Sequence, residues 1–460
     1  MREYRGMHVL VLGGARQGIA LARFLSEQKA LVTLNDNRPI EAFADLLNDF
    51  AEYHIQTHFG DHPLALLEGL DLLCISGGVP LDLPIVQEAV KRGIPLSNDS
   101  QVLFEGLKAK AIGITGSAGK TTTTTMVGEI AKKACGKYQK AWIGGNIGTP
   151  LIPFLKEIRS EDIVVLELSS FQLELMTISP AIAAITNITP NHLDRHGTMQ
   201  AYTAAKAHIL TYQKPTDAAI LNREDPGAWN LCNMVQGKLI SFGLNETNGY
   251  LPGTFLRGNS LWIKDGDFEQ EICSTDSIHL RGEHNLINAL AACATAWAAG
   301  FSVQAMQAGI AEVRGIPHRL EFVRRWHGAD WYNDSIATAP ERTLAAIRSF
   351  HEPLVLLLGG RDKHLPWMDF AAEIHSRVDH IILFGEAADL IYNALDAYEQ
   401  HQFPYTLEKV PTLFEAVQAA AQTIEDGDVV LLSPGGTSYD AFKDFEERGE
   451  LFRKAVEALE

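Results

Sequence analysis

The sequence predicts an α/β protein of three domains, each built on a largely parallel β-sheet that carries helices on both faces. Short apolar runs alternate with helical patterns along most of the chain, and this alternation is typical of parallel sheets. The chain has 460 residues, which is too long for one compact core. A glycine-rich turn at 116–119 also restarts the pattern after a first α/β unit. We therefore expect domains at 1–100, 101–312 and 313–460.

The first domain begins with an apolar strand at 8–12, a G-G-x-x-x-G segment and a helix that continues to about residue 28. A second strand at 31–35 leads into Asp36. This order is typical of a Rossmann-like dinucleotide-binding unit, although a plain tight turn between a strand and a helix explains the glycines equally well. The other elements of this domain are expected at 71–76, 83–92 and 94–97.

The central domain opens on A-I-G-I-T-G-S-A-G-K-T-T-T-T-T at 111–125, where a buried strand breaks into glycines and a helix begins at Lys120. Glycines let backbone N–H groups surround an anion, and the helix N-terminus adds partial positive charge. Lysine supplies charge to the outer phosphates of a nucleotide, and the hydroxyl after it completes a Mg²⁺ shell. The spacing departs from G-x-x-x-x-G-K-[ST], because Ile114 stands where that pattern has its first glycine. A turn that binds nothing would leave the lysine and the threonines unexplained, so we predict a P-loop-type ATPase domain.

Three further polar residues of the central domain are candidates for chemistry. Glu167 lies near the end of an apolar strand, and a buried glutamate is rare unless it is paired or bound to a metal. It is therefore a Mg²⁺ candidate, the alternative being an edge glutamate that faces water. His192 follows the C-terminal end of the strand at 183–188. Spacing alone makes Lys206, on a helix at about 199–212, a solvated lysine.

The remaining chain continues the α/β pattern into a Rossmann-like third domain. The rest of the central domain is expected to contain a glycine-rich turn at 144–148, hairpins at 243–273 and a helix at about 284–299. After a linker at 312–319, the third domain is expected to contain strands at 321–326, 330–333, 354–358, 380–384 and 428–432 and a terminal helix at 440–459.

Composition narrows the class of protein. The formal net charge is −18, which argues against a nucleic-acid binder, because such proteins carry a basic face. The five cysteines are scattered and lack C-x-x-C spacing, so we expect reduced thiols. The start of the chain does not resemble a signal peptide, and no apolar run approaches the length of a membrane span. We expect a cytoplasmic monomer that binds neither nucleic acid nor membranes.

Seven motifs in order along the chain resemble those of the Mur ligases of peptidoglycan synthesis. They are G-I-T-G-S-A-G-K-T (113–121), E-L-S-S-F-Q-L-E (167–174), N-H-L-D-R (191–195), A-A-K (204–206), G-E-H-N-L-I-N-A (282–289), G-I-P-H-R (315–319) and N-D-S-x-A-T (333–338). The tail S-P-G-G-T-S-Y-D-A-F-K-D-F-E-x-R-G at 433–449 looks like the branch of the family that adds D-glutamate. The resemblance covers nearly the whole chain.

The resemblance implies an ATP-dependent amide ligase that joins D-glutamate to UDP-N-acetylmuramoyl-L-alanine through an acyl phosphate. Two Mg²⁺ ions would assist. Thr121, with the ATP phosphates, would hold one ion, and Glu167, His192 and a carbamylated Lys206 would hold the other. A carbamate turns the amine into a carboxylate-like ligand, which Mg²⁺ prefers. The implied catalytic residues are Lys120, Glu167, His192 and Lys206.

The resemblance also implies three sets of ligand contacts. The ATP contacts would be Gly116, Ser117, Ala118, Gly119, Lys120, Thr121, Thr122, Thr123, Asn285, Asn288, Arg319 and Asp334. The contacts to the UDP substrate would be Gly14, Asn37, Arg38, Ser76 and Asn146, the last nearer the muramoyl group. The D-glutamate contacts would be Thr338, Lys363, Ser438 and Phe445.

The sequence departs from the family pattern near the expected amino-acid pocket. Ile336 stands where many relatives have lysine in D-S-K-A-T, and R-D-K-H around Lys363 differs from the D-G-K of some relatives. The same chemistry with another amino acid, such as L-glutamate, is therefore an alternative. A nucleotide-switched binding protein without turnover is a second alternative, which the complete set of motifs does not favour.

Overall fold

The computed structural model describes residues 2–146, 148–247, 249–315, 317–363, 367–398 and 405–460. The chain forms two compact units. One comprises Met1–Ser277 and His284–Glu312, and the other comprises Ile278–Glu283 and Val313–Glu460. The first unit contains two β-sheets and the second contains one. The predicted α/β class is confirmed, and the domain boundaries near residues 100 and 312 stay predictions.

The first sheet has five parallel strands in the order β3-β2-β1-β4-β5. The elements are β1 (His8–Leu12), α1 (Arg16–Glu27), β2 (Leu31–Asp36), α2 (Leu47–Glu52), β3 (Gln56–Phe59), β4 (Leu72–Ile75), α3 (Pro84–Lys91), β5 (Leu96–Ser97) and α4 (Asp99–Gly106). Because the strands are parallel, the residues that follow β2 and β4 meet at one edge of this sheet.

The second sheet has nine strands in the order β14-β13-β12-β11-β10-β9-β6-β8-β7. The elements are β6 (Lys110–Thr115), α5 (Lys120–Ala134), β7 (Ala141–Gly145), β8 (Ile163–Glu167), α6 (Ser170–Leu173), β9 (Ile182–Ile185), α7 (Leu193–His196), α8 (Met199–Thr211), β10 (Ala218–Asn222), α9 (Pro226–Trp229), β11 (Lys238–Phe242), β12 (Gly253–Arg257), β13 (Ser260–Asp265), β14 (Phe268–Ser274), α10 (Glu283–Ala298) and α11 (Val303–Glu312). The strands β12, β13 and β14 form the predicted antiparallel hairpins. The central strands β6, β8 and β9 are buried apolar runs, as expected for a parallel sheet covered on both faces.

The third sheet has six strands in the order β15-β16-β20-β17-β18-β19, and only the β15–β16 pair is antiparallel. The elements are β15 (Glu321–Trp326), β16 (Ala329–Asn333), α12 (Pro340–Ile347), β17 (Leu354–Gly359), α13 (Met368–Arg377), β18 (His380–Phe384), α14 (Ala388–Asp396), β19 (Thr406–Lys409), α15 (Leu413–Thr423), β20 (Val429–Gly435) and α16 (Phe445–Glu457). Short 3₁₀ turns occur at Ile40–Leu46, Leu64–Leu67, Ile152–Phe154, Cys232–Met234 and Thr275–Ser277.

Strand β11, inside the second sheet, is not predicted from the sequence, and neither are three strands at sheet edges, β3, β7 and β19. The short sequences of the three edge strands are polar or glycine-rich, and β3 and β19 have few buried side chains, so no apolar run marks them. The turn expected at 144–148 therefore begins inside a strand. The terminal helix starts at Phe445 rather than at residue 440, because the Asp444 side chain accepts a hydrogen bond from the Glu447 N–H and caps the helix there. No helix in the described ranges is long and apolar enough to cross a membrane.

Helix α11 packs closely on α5, the helix that leaves the glycine-rich loop. A Cβ atom built on Gly309 of α11 would lie 2.5 Å from both the Cα and the N of Ile130 on α5. The obstacle is backbone, so the two helices would have to separate to admit a methyl group.

We expect Gly309→Ala to lower the free energy of unfolding by about 1–3 kcal/mol, as overpacking does, although alanine is the better helix former by about 1 kcal/mol. Chemical denaturation of the variant measures the change. Gly136→Ala is the matched control, because its Cβ would have no neighbour nearer than the Gln139 Oε1 at 3.8 Å. A Gly309→Ala protein as stable as the wild type would contradict this account of the packing.

Candidate functional site

The loop between β6 and α5 adopts a conformation that requires glycine at two positions. Gly116 and Gly119 have φ values of +153° and +79°. A Cβ on Gly116 would lie 1.9 Å from the Thr186 Oγ1, and one on Gly119 would lie 2.2 Å from the Asn288 Oδ1. Any larger residue at either position would be strained by the backbone and by its neighbour.

Side chains behind the loop hold it in place. The Ser117 hydroxyl donates to the Thr189 carbonyl at 2.9 Å and lies 3.0 Å from the Tyr202 hydroxyl. The Thr186 hydroxyl donates to the Ala118 carbonyl at 2.6 Å. These bonds use the inward-facing polar groups of the loop, so the loop is ordered before any ligand arrives.

Two lysines donate to one carbonyl oxygen of this loop. The Lys120 Nζ donates to the Gly116 carbonyl at 3.0 Å and to the Ser117 carbonyl at 3.1 Å. The Lys206 Nζ donates to the same Gly116 oxygen at 2.8 Å. The loop therefore gathers positive charge beside the N-terminus of α5, which favours a polyanionic ligand.

Lys206 is a buried lysine, so the solvated position that its spacing suggests is wrong. Its side chain is 1% exposed, and its Nζ lies 4.7 Å from the centre of the Tyr202 ring. Burial first and the charge of Lys120 second lower the pKa of Lys206 to about 6, against the opposing charge of Glu167. The uncharged amine is thus accessible near neutral pH.

Glu167 is buried at the end of β8, with 2% of its surface exposed, and the alternative of a glutamate facing water is wrong. Its carboxylate accepts hydrogen bonds from the Thr121 hydroxyl at 2.8 Å and from the Asn146 amide at 2.9 Å. Strands β8 and β6 are paired, so the carboxylate lies beside the glycine-rich loop. The structure brings together Thr121, Asn146 and Glu167, which the sequence analysis had placed in separate motifs.

His192 lies on the exposed side of this cluster, directly before α7. Its φ of +53° is in the left-handed region, and its ring lies edge-on to Phe171 at 5.1 Å and 6.4 Å from the ring of Tyr202. Tyr202 also contacts Ser117 and lies beside Lys206, so His192 belongs to the same edge of the sheet.

The oxygen groups of this cluster suit Mg²⁺, which prefers carboxylate, hydroxyl and carbonyl ligands. Over the described ranges, no group of three or more His, Cys, Asp or Glu side chains is arranged to hold a metal ion. The predicted set contains only Glu167 and His192 of these types. A carbamate on Lys206 would therefore add a second acidic ligand to the one that Glu167 supplies.

The remaining predicted ATP contacts of the first unit surround Gly119. The Asn288 amide donates to the Asn285 Oδ1 at 3.1 Å, and both asparagines are buried on α10. Thr122 and Thr123 have buried side chains, and the Thr123 N–H donates to the Gly119 carbonyl within the first turn of α5. The polar groups of Thr123 are therefore engaged inside the protein.

The first sheet carries its own buried acid, Asp36, whose partners the sequence analysis missed. The Gly14 N–H donates to the Asp36 Oδ2 at 2.6 Å, and the Arg38 guanidinium donates to both carboxylate oxygens at 2.9 Å. Burial alone would raise the pKa of Asp36, but these hydrogen bonds hold the pKa at about 2. The Arg38 guanidinium also lies over the Phe43 ring at 4.6 Å. In dinucleotide-binding proteins an acid at this place binds a ribose, whereas here the carboxylate is engaged by the protein.

Two other predicted contacts of the first sheet lie at the same edge. Asn37 follows Asp36 at the exposed end of β2. Ser76 follows β4, and its hydroxyl donates to the Gly13 carbonyl at 2.9 Å. Gly18 allows α1 to approach this turn, since a Cβ there would lie 1.9 Å from the Gly13 oxygen.

In the second unit, Asp334 is buried directly after β16. It accepts hydrogen bonds from the Ser433 hydroxyl at 2.8 Å and from the Leu320 N–H at 3.2 Å. Burial raises the pKa of Asp334 to about 7, and the charges of Arg319 and Arg342 partly oppose the shift. Arg319 and Asp334, both predicted to contact ATP, are thus electrostatically coupled.

The predicted amino-acid contacts lie at the end of the third sheet. The Lys363 Nζ donates to the Thr338 hydroxyl at 3.2 Å, and both groups are accessible. Ser438 is buried in the loop after β20, and Phe445 begins α16. The structure therefore pairs Lys363 with Thr338.

Arg448, which the sequence analysis missed, joins the loops that carry these residues. It is fully buried, and its guanidinium donates to the Ser335 hydroxyl at 3.0 Å, to the Ser335 carbonyl at 2.8 Å and to the Gly436 carbonyl at 3.1 Å. Burial lowers the pKa of Arg448 to about 10. The sequence does indicate that Arg448 is buried, because Arg448 falls on the same helical stripe as the buried Phe452 and Val456.

Comparisons with known proteins identify the family and the fold. Family models match three parts of the chain: a MurD-like N-terminal domain of Mur ligases at residues 7–98, the Mur ligase middle domain at 114–296 and the Mur ligase glutamate ligase domain at 318–436. Solved structures share the fold. The UDP-N-acetylmuramate–alanine ligase of Thermotoga maritima has a TM-score of 0.60 and 19% identity and covers 98% of this chain and 99% of its own. A MurF ligase of the same organism, solved in complex with ADP, has a TM-score of 0.54 and 17% identity over 99% of this chain and 96% of its own.

Curated relatives match at higher identity. The UDP-N-acetylmuramoylalanine–D-glutamate ligase of Pelotomaculum thermopropionicum is 36% identical over 460 residues, which is 100% of this chain and 99% of the relative. The enzyme of the same name from Acidobacterium capsulatum is 38% identical over 457 residues, or 99% of this chain and 97% of the relative. By this identity along its whole length, the chain belongs to the Mur ligase family, in the branch of the UDP-N-acetylmuramoylalanine–D-glutamate ligases.

Proposed function

We propose that this protein joins D-glutamate to UDP-N-acetylmuramoyl-L-alanine, with conversion of ATP to ADP and phosphate, in the synthesis of peptidoglycan precursors. The observation that carries the proposal is the cluster at the end of β6 and β8, where Lys120 and Lys206 share the Gly116 carbonyl and Glu167 lies beside the loop. Whole-chain identity of 36–38% to ligases of that name supports the same conclusion. The expectation of a cytoplasmic monomer stays a prediction.

The reaction needs two steps. The alanyl carboxylate of the first substrate attacks the γ-phosphorus of ATP, which forms an acyl phosphate and releases ADP. The uncharged amine of D-glutamate then attacks the acyl carbon, and the tetrahedral intermediate expels inorganic phosphate and loses a proton. Phosphoryl transfer depends mainly on positioning and on charge stabilisation. We assign the stabilisation of the transferred phosphoryl group to Lys120 and the N-terminus of α5.

Mg²⁺ ions, when bound, would neutralise negative charge on the phosphate oxygens. We assign one ion to Thr121 together with the ATP phosphates and a second to Glu167, His192 and carbamylated Lys206. Carbamylation joins the uncharged amine to CO₂ and releases one proton. The burial of the Lys206 Nζ and its position beside Lys120 both disfavour a second ammonium there.

The first sheet is the proposed site of the UDP portion. Arg38 is held by Asp36, which fixes its guanidinium over the Phe43 ring at the carboxyl edge of the sheet. We place the uridine diphosphate along Gly14, Asn37, Arg38 and Ser76, with the muramoyl group toward Asn146. The Asn146 amide already bonds to Glu167, so this end of the substrate would reach the phosphate loop.

The loops at the end of the third sheet are the proposed site of D-glutamate. Glutamate carries two carboxylates, so its pocket needs a cation and several donors. Lys363 and Thr338 supply a cation and a hydroxyl in contact with each other, and Ser438 and Phe445 lie at the loop and helix start held by Arg448. Because Ile336 offers no donor, Lys363 is the principal cation in this proposal.

Product analysis tests the function directly. Incubation with UDP-N-acetylmuramoyl-L-alanine, ATP and D-glutamate should yield ADP, phosphate and a product heavier by one glutamyl residue, as measured by mass spectrometry. L-Glutamate in place of D-glutamate should yield no product. Lys120→Ala should abolish turnover with little change in melting temperature, because it removes one cation at the start of α5 and leaves the bonds of Ser117 and Thr186 that hold the loop. Product with L-glutamate alone would favour the alternative substrate, and full activity of Lys120→Ala would rule out this phosphate site.

Lys206→Ala should lose most of its activity and recover part of it with added formate or acetate, since a small carboxylate can replace the carbamate. Activity as a function of carboxylate concentration measures this rescue. Lys132→Ala is the matched control, because Lys132 is an exposed helical lysine paired with Glu129 at the surface. Such a surface change should alter stability by less than about 0.5 kcal/mol and leave the rate unchanged. A Lys206→Ala enzyme with unchanged activity would remove Lys206 from the reaction.

Lys363→Ala should raise the KM for D-glutamate at least about tenfold, because a buried carboxylate left without its partner costs about 2–5 kcal/mol. The KM for ATP should stay within about threefold. Arg361→Ala is the control, since this cation two residues away is paired with Glu386 at 2.8 Å. Equal changes in both constants, or no change in either, would show that D-glutamate binds elsewhere.

A further inference from the structure

Arg195 joins the two sheets of the first unit at a point between the proposed substrate site and the phosphate loop. It lies on α7, three residues after His192 in the N-H-L-D-R motif. Its guanidinium donates to the carbonyls of Gly77 and Val79, with an N–O distance of 2.9 Å at Gly77. The Gly77–Val79 loop follows β4 of the first sheet.

The guanidinium also stacks on an aromatic ring of the second sheet. Its Cζ lies 4.1 Å from the centre of the Phe171 ring, and the ring of His196 is stacked on Phe171 at 5.2 Å with an interplanar angle of 10°. The same ring makes a T-shaped contact with the ring of His192, with the ring centres 5.1 Å apart. The Phe171 ring therefore contacts Arg195, His196 and His192. Phe171 is four residues beyond Glu167, a proposed metal ligand, so these contacts lie close to the proposed metal site.

We propose that Arg195 is a positioning residue that fixes the Gly77–Val79 loop relative to the phosphate loop, and thereby sets the span available to the UDP-linked substrate. This inference rests on the proposed function, in which one substrate molecule reaches from Arg38 on the first sheet to the phosphate loop on the second. A molecule that spans two sheets binds well only when their separation matches its length. Misplacing a reacting group by about 1 Å can lower a rate by about a hundredfold.

Arginine is suited to this role and lysine is not. The planar guanidinium can donate to two carbonyls and stack on a ring simultaneously, because its donors lie in the plane and its face is free. An ammonium is a compact point charge that cannot reproduce all three contacts. Two other bonds between the sheets, from the Gln17 amide to the Gly145 carbonyl at 2.9 Å and from the Asn98 amide to the Gln172 carbonyl at 2.7 Å, are made by neutral amides. Arg195 is charged, as is the exposed ion pair of Lys156 with Glu27 at 3.8 Å between the same two parts of the chain.

Steady-state kinetics of Arg195→Ala and Arg195→Lys test the proposal. In Arg195→Ala, kcat/KM for UDP-N-acetylmuramoyl-L-alanine should fall by about ten- to a hundredfold, while the KM values for ATP and D-glutamate stay within about twofold. Arg195→Lys should recover only part of the loss. Arg257→Ala is the matched control, because Arg257 also lies over aromatic rings, those of Phe255 and Trp262, but on the β12–β13 hairpin; this variant should keep all three constants.

Hydrogen–deuterium exchange of the substrate-free protein gives a readout that does not depend on activity. The Val79 N–H donates to the Ser76 carbonyl at 2.9 Å, so a peptide that contains residues 76–80 should exchange faster in Arg195→Ala than in the wild type. Its melting temperature should remain close to that of Arg257→Ala. Unchanged exchange, or equal changes in the constants for all three substrates, would overturn the role of Arg195. A wild type without ligase turnover would instead refute the proposed function, and the exchange experiment would still test the contact.

Discussion

Much of the candidate site depends on one carbonyl oxygen, that of Gly116, which accepts hydrogen bonds from both Lys120 and Lys206. Two ammonium groups on one acceptor repel each other, and burial adds a desolvation cost for Lys206, which has 1% of its surface exposed. The protein can relieve this by releasing the Lys206 proton or by bringing in negative charge. The lowered pKa of Lys206 reflects the first route, and a polyphosphate, or a carbamate on Lys206 itself, would supply the second.

The loop that carries the Gly116 carbonyl is held in place by close packing and by hydrogen bonds. Gly116 packs so closely on Thr186 that a Cβ would lie 1.9 Å from the Thr186 hydroxyl oxygen, and Ser117 is held by Thr189 and Tyr202. Because its inner face is hydrogen-bonded to the protein, the loop is preorganised to bind a ligand at its outer face. Preorganisation lowers the entropic cost of binding. Tyr202 contacts both the loop and the buried lysine, because its hydroxyl lies beside Ser117 and its ring faces the Lys206 amine.

Sequence patterns predict most of the buried strands and the phosphate loop, because both are local: an apolar run or a glycine-lysine segment carries its own signal. The edge strands β3 and β19 were missed, since a half-exposed strand has no apolar run. The burial of Lys206 could not be derived from its helix, whose spacing is also that of a solvated lysine, and only the family motif pointed to it. Arg448 was missed although its place on an apolar stripe was visible.

Each of the three sheets carries one buried acid at or directly after the end of a strand: Asp36 at β2, Glu167 at β8 and Asp334 after β16. Their partners differ. Asp36 is bonded by the Arg38 guanidinium and has a pKa of about 2, so it is charged at any physiological pH.

Asp334 is bonded by a hydroxyl and a backbone amide, and burial raises its pKa to about 7, so its charge depends on cations that approach it. Glu167 likewise accepts from a hydroxyl and an amide, with the Lys206 amine nearby. The acid of the first sheet is thus a structural anchor for an arginine, whereas the other two hold negative charge that a bound cation could use.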